Sequence, residues 1–128
     1  MRRLGLLVLL AGCGEKVDGL LAEGSWGGEG YELIVSDTGE GRIQADCAHG
    51  NSGGPMEAND GDLVVPINWV VGGGPIDPDN PPTPTPVMLE AEVRGDTLDG
   101  VLRFQEHEGV VQSIVVTHGE PPTLTPCQ

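Results

Sequence analysis

The stretch Val87-Met88-Leu89-Glu90-Ala91-Glu92-Val93-Arg94 is followed by Gly95-Asp96 and then by Thr97-Leu98-Asp99-Gly100-Val101-Leu102-Arg103-Phe104-Gln105. Successive side chains of a strand point to opposite sides, so Val87, Leu89, Ala91 and Val93 share one face while Met88, Glu90, Glu92 and Arg94 share the other. Beyond Gly95-Asp96 the inward set resumes as Leu98, Gly100, Leu102 and Phe104. Two period-two runs joined by a two-residue turn form a β-hairpin.

The same pattern extends in both directions. Tyr31, Leu33 and Val35 alternate within Tyr31–Val35, the stretch 37–41 turns the chain, and Arg42–Cys47 then sets Ile43, Ala45 and Cys47 inward. A weak strand near Pro55–Ala58 precedes the turn Asn59-Asp60-Gly61-Asp62, and Leu63–Val71 is the most continuous apolar run, in which Pro66 implies an edge or a bulge. Gly72–Pro86 is a Gly- then Pro-rich surface loop. After a turn at Glu106–Gly109, the run Val110–His118 sets Ile114 and Val116 inside. Hairpins that need no crossover helix disfavour a parallel sheet. The expected fold is all-β, a small antiparallel meander forming a β-barrel or sandwich of about 6 to 8 strands.

Composition agrees with this class. The chain has 128 residues with 21 glycines and 11 prolines, a mixture unsuited to long helices. Its two tryptophans, one tyrosine and one phenylalanine leave the core to Val, Leu and Ile, so the core is thin. A formal charge of -14 argues against nucleic acid and against anionic lipid headgroups as partners.

Met1–Cys13 reads MRRLGLLVLLAGC: two arginines, the apolar run Leu4–Leu10, and small residues before a cysteine. That is the layout of an export signal, and the run is too short to span a bilayer. Leu10-Ala11-Gly12-Cys13 resembles the lipobox of bacterial lipoproteins. The resemblance implies removal of residues 1–12 as a signal peptide, acylation of Cys13 and a membrane partner held through lipid. Gly14 lacks the aspartate that marks inner-membrane retention in Gram-negative members, which favours the outer membrane of the cell envelope by analogy. Residues 13–25 then read as a flexible tether and 26–128 as the folded domain. With Cys13 acylated in an oxidising compartment, Cys47 and Cys127 are left as an even pair, expected to form one disulfide. It would close a loop of about 80 residues, worth on the order of 4 kcal/mol in the chain-entropy model.

Trp26-Gly27-Gly28, Asp46-Cys47-Ala48-His49-Gly50, Gly73-Gly74-Pro75, a Gly-Asp strand turn and a C-terminal cysteine together resemble a group of small bacterial lipoproteins of uncharacterised activity. The likeness runs from about Trp26 to Cys127, with Asp-Cys-Ala-His-Gly its most specific part. It implies a lipid-anchored β-barrel and no particular reaction.

Few residues carry a case for chemistry. Asp46 and His49 make a candidate acid/base pair just past a strand, but acyl transfer also needs a nucleophile and an oxyanion site, and Asn51-Ser52-Gly53-Gly54 lacks the nucleophile-elbow pattern. The simpler role for both is ordering the strand end. A zinc site on Cys47 and His49 lacks paired ligands at short spacing. His107 reads as a solvated turn residue, and His118 closes a strand. Asp77-Pro78-Asp79-Asn80 and Asn59–Asp62 offer oxygens for calcium, yet neither fits the twelve-residue calcium loop, and turn chemistry accounts for both. Gly72-Gly73-Gly74-Pro75 has no lysine or helix to cradle phosphate. Trp69 is either the largest core residue of the sheet, the favoured reading, or a stacking anchor at its rim. No cofactor or metal is expected. Asp46, His49 and Trp69 are the candidate binding residues of a non-enzymatic, membrane-anchored binding or envelope-structural protein with an envelope protein or glycan as partner. The alternatives are a small-ligand carrier or an inhibitor of an envelope hydrolase, and a hydrolase using Asp46 and His49.

Overall fold

The structure, a computed structural model, describes residues 15–71, 79, 83–105 and 111–125. Among these are ten strands and no helix: β1 (Gly19–Leu20), β2 (Gly24–Gly28), β3 (Tyr31–Val35), β4 (Glu40–Ala45), β5 (Ala48–Pro55), β6 (Glu57–Ala58), β7 (Asp62–Val71), β8 (Thr85–Arg94), β9 (Thr97–Phe104) and β10 (Val111–His118). Eight of them close an antiparallel barrel in the order β2-β3-β4-β5-β7-β8-β9-β10, with β10 returning to β2, while β1 and β6 pair outside it.

Hydrophobic alternation fixes which side of each strand faces in. Along β7, Leu63, Val65, Ile67 and Trp69 are buried and their neighbours Asp62, Val64, Pro66 and Asn68 exposed. In the hairpin that decides the fold, Leu89 stands opposite Leu102 and Val93 opposite Leu98, all four fully buried. An eight-stranded barrel is just wide enough for its own side chains to fill it, and among the described residues no polar or charged side chain is buried. The ion pairs Arg103–Glu90 (3.1 Å) and Arg94–Glu92 (3.0 Å) lie on the outside. Apolar within and charged without, the wall is the reverse of a membrane-spanning barrel.

Asn59-Asp60-Gly61-Asp62 turns as its sequence implies. Asp60 (φ 51°) and Gly61 (φ 88°) both take left-handed conformations, and Asn59 and Asp62 exchange backbone hydrogen bonds of 2.8 and 3.0 Å, a type I′ hairpin. Pro66 stands at a local edge of β7, paired with Met88 of β8 on one side and lying beyond the end of the β5 ladder on the other. The β5–β7 ladder ends at Ser52 and Ile67, one residue short of the proline, and the irregularity lies in β5. There the Ser52 hydroxyl accepts a hydrogen bond from the Gly41 amide of β4 (2.9 Å) and donates to the Gly54 carbonyl (2.6 Å), bridging the register shift between β4 and β5.

The seam of the barrel explains Trp26-Gly27-Gly28. β10 and β2 pair at only two positions, Thr117 with Gly27 and His118 with Trp26. A Cβ on Gly28 would run into the Val115 carbonyl, and one on Gly27 into the Glu120 carbonyl. The second contact arises because the chain reverses at Gly119 (φ 85°) and runs back over β2 as a strap. Gly119 donates to the Ser25 carbonyl (2.9 Å), Thr123 to the Gly28 carbonyl (3.0 Å), and Gly30 to the Thr123 carbonyl (2.8 Å). Gly27 and Gly28 therefore belong to a strand and not to a turn.

The flexible tether expected over 13–25 is corrected from Glu15 onward. The Val17 amide donates to the Val93 carbonyl (3.0 Å), Gly61 to Val17 (2.8 Å), Gly95 to Glu15 (2.8 Å) and Leu21 to Met56 (3.1 Å). Leu21 and Met56 are buried, and Val17 packs on the same core. This segment, with β1 and β6, seals one end of the barrel, the base, and Gly41 leaves the space that the Met56 sulfur occupies. Cys13 and Gly14 lie outside the described residues, as does most of the Gly72–Pro86 loop, although Thr85 and Pro86 already belong to β8.

Candidate functional site

At the end opposite the base, β3 and β10 begin, β7 and β9 end, and the β4–β5 turn crosses. These elements bring Tyr31, Asp46, Cys47, Trp69, Phe104 and Gln112 around an open cup of about 470 Å³, here called the mouth. The volume is that of a small-molecule site. A smaller depression of about 270 Å³ lies on the outer wall beside the Ser52 bulge.

Trp69 and Phe104 form the floor. Their rings meet edge to face, with centroids 6.2 Å apart and planes at 90°. Trp69 is only 2% exposed because Gly50 stands opposite it: a Cβ there would lie 2.9 Å from the indole Cε3 and 2.6 Å from Ile67 Cγ2. The tryptophan is thus a core residue whose edge also reaches the cup. On the wall, the Tyr31 hydroxyl donates to Gln112 Oε1 (3.1 Å), and exposed Asp46 accepts from the Thr125 amide at Oδ1 (2.8 Å), which ties the C-terminal strap to the β4–β5 turn. Among the described lining residues Asp46 alone carries a charge, and neither ion pair found among the described residues involves it.

His49 does not join this group. It lies within β5, not beyond a strand, opposite Gln44 and Val70. Strand alternation turns it away from the side on which Gly50 meets Trp69. Asp46 and His49 therefore serve different surfaces. Cys47 lines the cup; Cys127 lies outside the described residues, as does His107. His118 Nε2 is 2.9 Å from the Glu23 carbonyl, and its ring lies 5.2 Å from that of Trp26 at the seam. Among the described residues no three His, Cys, Asp or Glu side chains cluster to hold a metal, and Asp18 Oδ1 accepts from the Asp60 amide (3.2 Å). Asp77, Pro78 and Asn80 lie outside the described residues.

Tyr31 and Gln112 were not apparent as site residues in the sequence. They are 81 positions apart, and only closure of the barrel brings them together.

Burial, and secondarily the negative charge of Asp46, hold the Tyr31 phenol above its ordinary ionisation range. Tyr31 is the sole tyrosine, so an ultraviolet alkaline titration reads it alone. The expected midpoint lies above 10 in the folded protein and falls in Asp46→Asn without returning fully to 10, since burial remains. The neutral phenol is the form that folding favours. Its contribution to stability is therefore complete below pH 10 and is lost as pH rises through the folded-state midpoint. A midpoint at or below 10 would mean that Tyr31 is solvated.

No family model matches the chain, and neither a curated protein nor a solved structure matches it.

Proposed function

We propose that this chain is an exported bacterial lipoprotein, acylated at Cys13, whose barrel is a non-enzymatic binding module presenting its mouth away from the membrane. The observation that carries the reading is the polarity of the barrel. Glu15, two residues after Cys13, is already bonded to Gly95 at the sealed base, whereas the concave, partly apolar surface lies at the other end. A lipid on Cys13 would hold the base close to the bilayer and leave the mouth to a partner in the envelope. The lipobox-like Leu10-Ala11-Gly12-Cys13 supports the anchor, and Gly14 after the cysteine supports the outer membrane. The charged outer wall favours anchoring by lipid over insertion of strands.

A disulfide between Cys47 and Cys127 belongs to the same reading. The Thr125–Asp46 bond fixes the chain two residues before Cys127 beside the residue that precedes Cys47. The hydrolase alternative draws no support from the separate surfaces of Asp46 and His49, and a carrier enclosing its cargo within the barrel draws none from a lumen filled by side chains.

Intact-mass analysis of the protein from its native envelope tests the proposal. The expected species begins at Cys13, carries acyl chains there, and has no free thiol at the other two cysteines. Cys13→Ala should release the protein from the membrane fraction. An uncut, unacylated chain with both thiols free would overturn it.

A further inference from the structure

We propose that the mouth cup binds a small ligand that joins an aromatic-sized apolar body to a protonated amine, the body resting on Trp69 and Phe104 and the amine facing Asp46. The inference deepens the reading of the mouth as the binding face and is independent of the lipid anchor.

Shape, apolarity and charge carry it together. The floor is two aromatic rings fixed edge to face, and Ala45, Ala48 and Val71 add apolar wall, so water in the cup is readily displaced by a flat apolar group. Among the described lining residues one carboxylate, Asp46, stands at its side, with one oxygen engaged by the Thr125 amide. The Tyr31 hydroxyl donates its hydrogen bond to Gln112 Oε1, so its lone pairs are left for donors, while Gln112 retains its amide nitrogen as a side-chain donor. A carboxylate with a hydroxyl acceptor nearby suits an ammonium group and repels an anion. The surrounding field has the same sign, since a chain of net charge -14 raises the local concentration of cations and lowers that of anions.

The test compares three probes of one shape on the full-length protein: phenethylamine, 2-phenylethanol and phenylacetate. Amide chemical shifts locate each probe, and calorimetry gives its affinity. Phenethylamine is expected to shift the Tyr31, Ala48 and Gln112 amides and to bind about tenfold more tightly than the alcohol, with phenylacetate weakest. Asn keeps an oxygen for the Thr125 amide, so Asp46→Asn should stay folded, lose that tenfold preference and leave the alcohol unchanged. Tyr31→Phe should keep binding all three while reducing the amine preference severalfold. Equal affinities of the three probes at these amides would overturn the amine preference and leave the mouth standing as the binding face. No shift at the mouth from any probe would overturn both.

Discussion

Trp69→Ala is expected to lower the free energy of unfolding by about 3–5 kcal/mol, seen as a fall in the urea midpoint without loss of strand content in the variant that still folds. The size follows from what surrounds the indole. It is 2% exposed, Gly50 is hollowed out to receive it, and Phe104 meets it edge-on at 6.2 Å. A barrel wall closed by hydrogen bonds cannot collapse into the space left behind, so most of the cavity remains. With only four aromatic residues in the chain, no neighbouring ring can take over. Small domains have about 5–15 kcal/mol in total, so the loss is a large fraction of it. Trp69→Phe keeps a ring on the floor and should cost clearly less. A cost below about 1 kcal/mol for the alanine variant would show that the indole does not fill the core.

Gly28→Val should be comparably damaging, by about 3 kcal/mol or more, and for a different reason. Its Cβ would collide with the carbonyl of Val115, a backbone atom that can yield only if β10 moves, and β10 is held to β2 by just two residue pairs. The requirement is for space and not for an unusual backbone angle, since Gly28 is absent from the left-handed glycines. Opening the seam would also bare the edges of β2 and β10, which invite pairing between molecules. Urea unfolding and size-exclusion chromatography should therefore show lower stability and self-association together. Gly54→Ala is the matching control. Nothing lies within 4 Å of its Cβ, so its cost should stay within about 0.5 kcal/mol. Equal effects at the two positions would contradict the account of the seam.

The strands legible in the sequence are those whose inward positions hold large apolar residues. Leu33 and Val35, the four inward residues of β7, and Val87, Leu89 and Val93 announce their strands by alternation alone. β5 is silent because its burden lies elsewhere: Ala48, Gly50 and Ser52 are small since Trp69 and Ile67 of the next strand fill the space in front of them. An Ala-His-Gly-Asn-Ser-Gly-Gly-Pro run shows no period, although its ladder with β7 is regular over five residue pairs. The base was hidden for another reason. Val17 is a lone apolar residue and Leu21 lies in the brief run Leu20-Leu21-Ala22, and what orders them is backbone hydrogen bonding to Val93, Gly61 and Met56, which no periodicity encodes. Gly27-Gly28 reads as a turn to local rules, yet the glycines answer to chain segments some ninety residues away.

The site was legible only in part. Asp46 and Trp69 could be singled out by chemistry, but pairing Asp46 with His49 followed proximity in sequence, and a strand sends the residue next to Gly50 to the opposite face. Tyr31, Phe104 and Gln112 reach the cup from three separate strands, so their convergence depends on the register of the closed barrel. Knowing the strands without the closure does not reveal the cup.

The barrel has one sealed and one open end, and amide hydrogen exchange of the N-terminal segment tests that polarity most directly. The amides of Val17, Leu21, Gly61 and Gly95 donate respectively to Val93, Met56, Val17 and Glu15 only if the segment is docked at the base. They are predicted to exchange as slowly as neighbouring amides of β7 and β8. Exchange at the rate of an unstructured peptide at Val17 and Leu21, with the barrel strands still protected, would contradict it and return this segment to the role of a free tether.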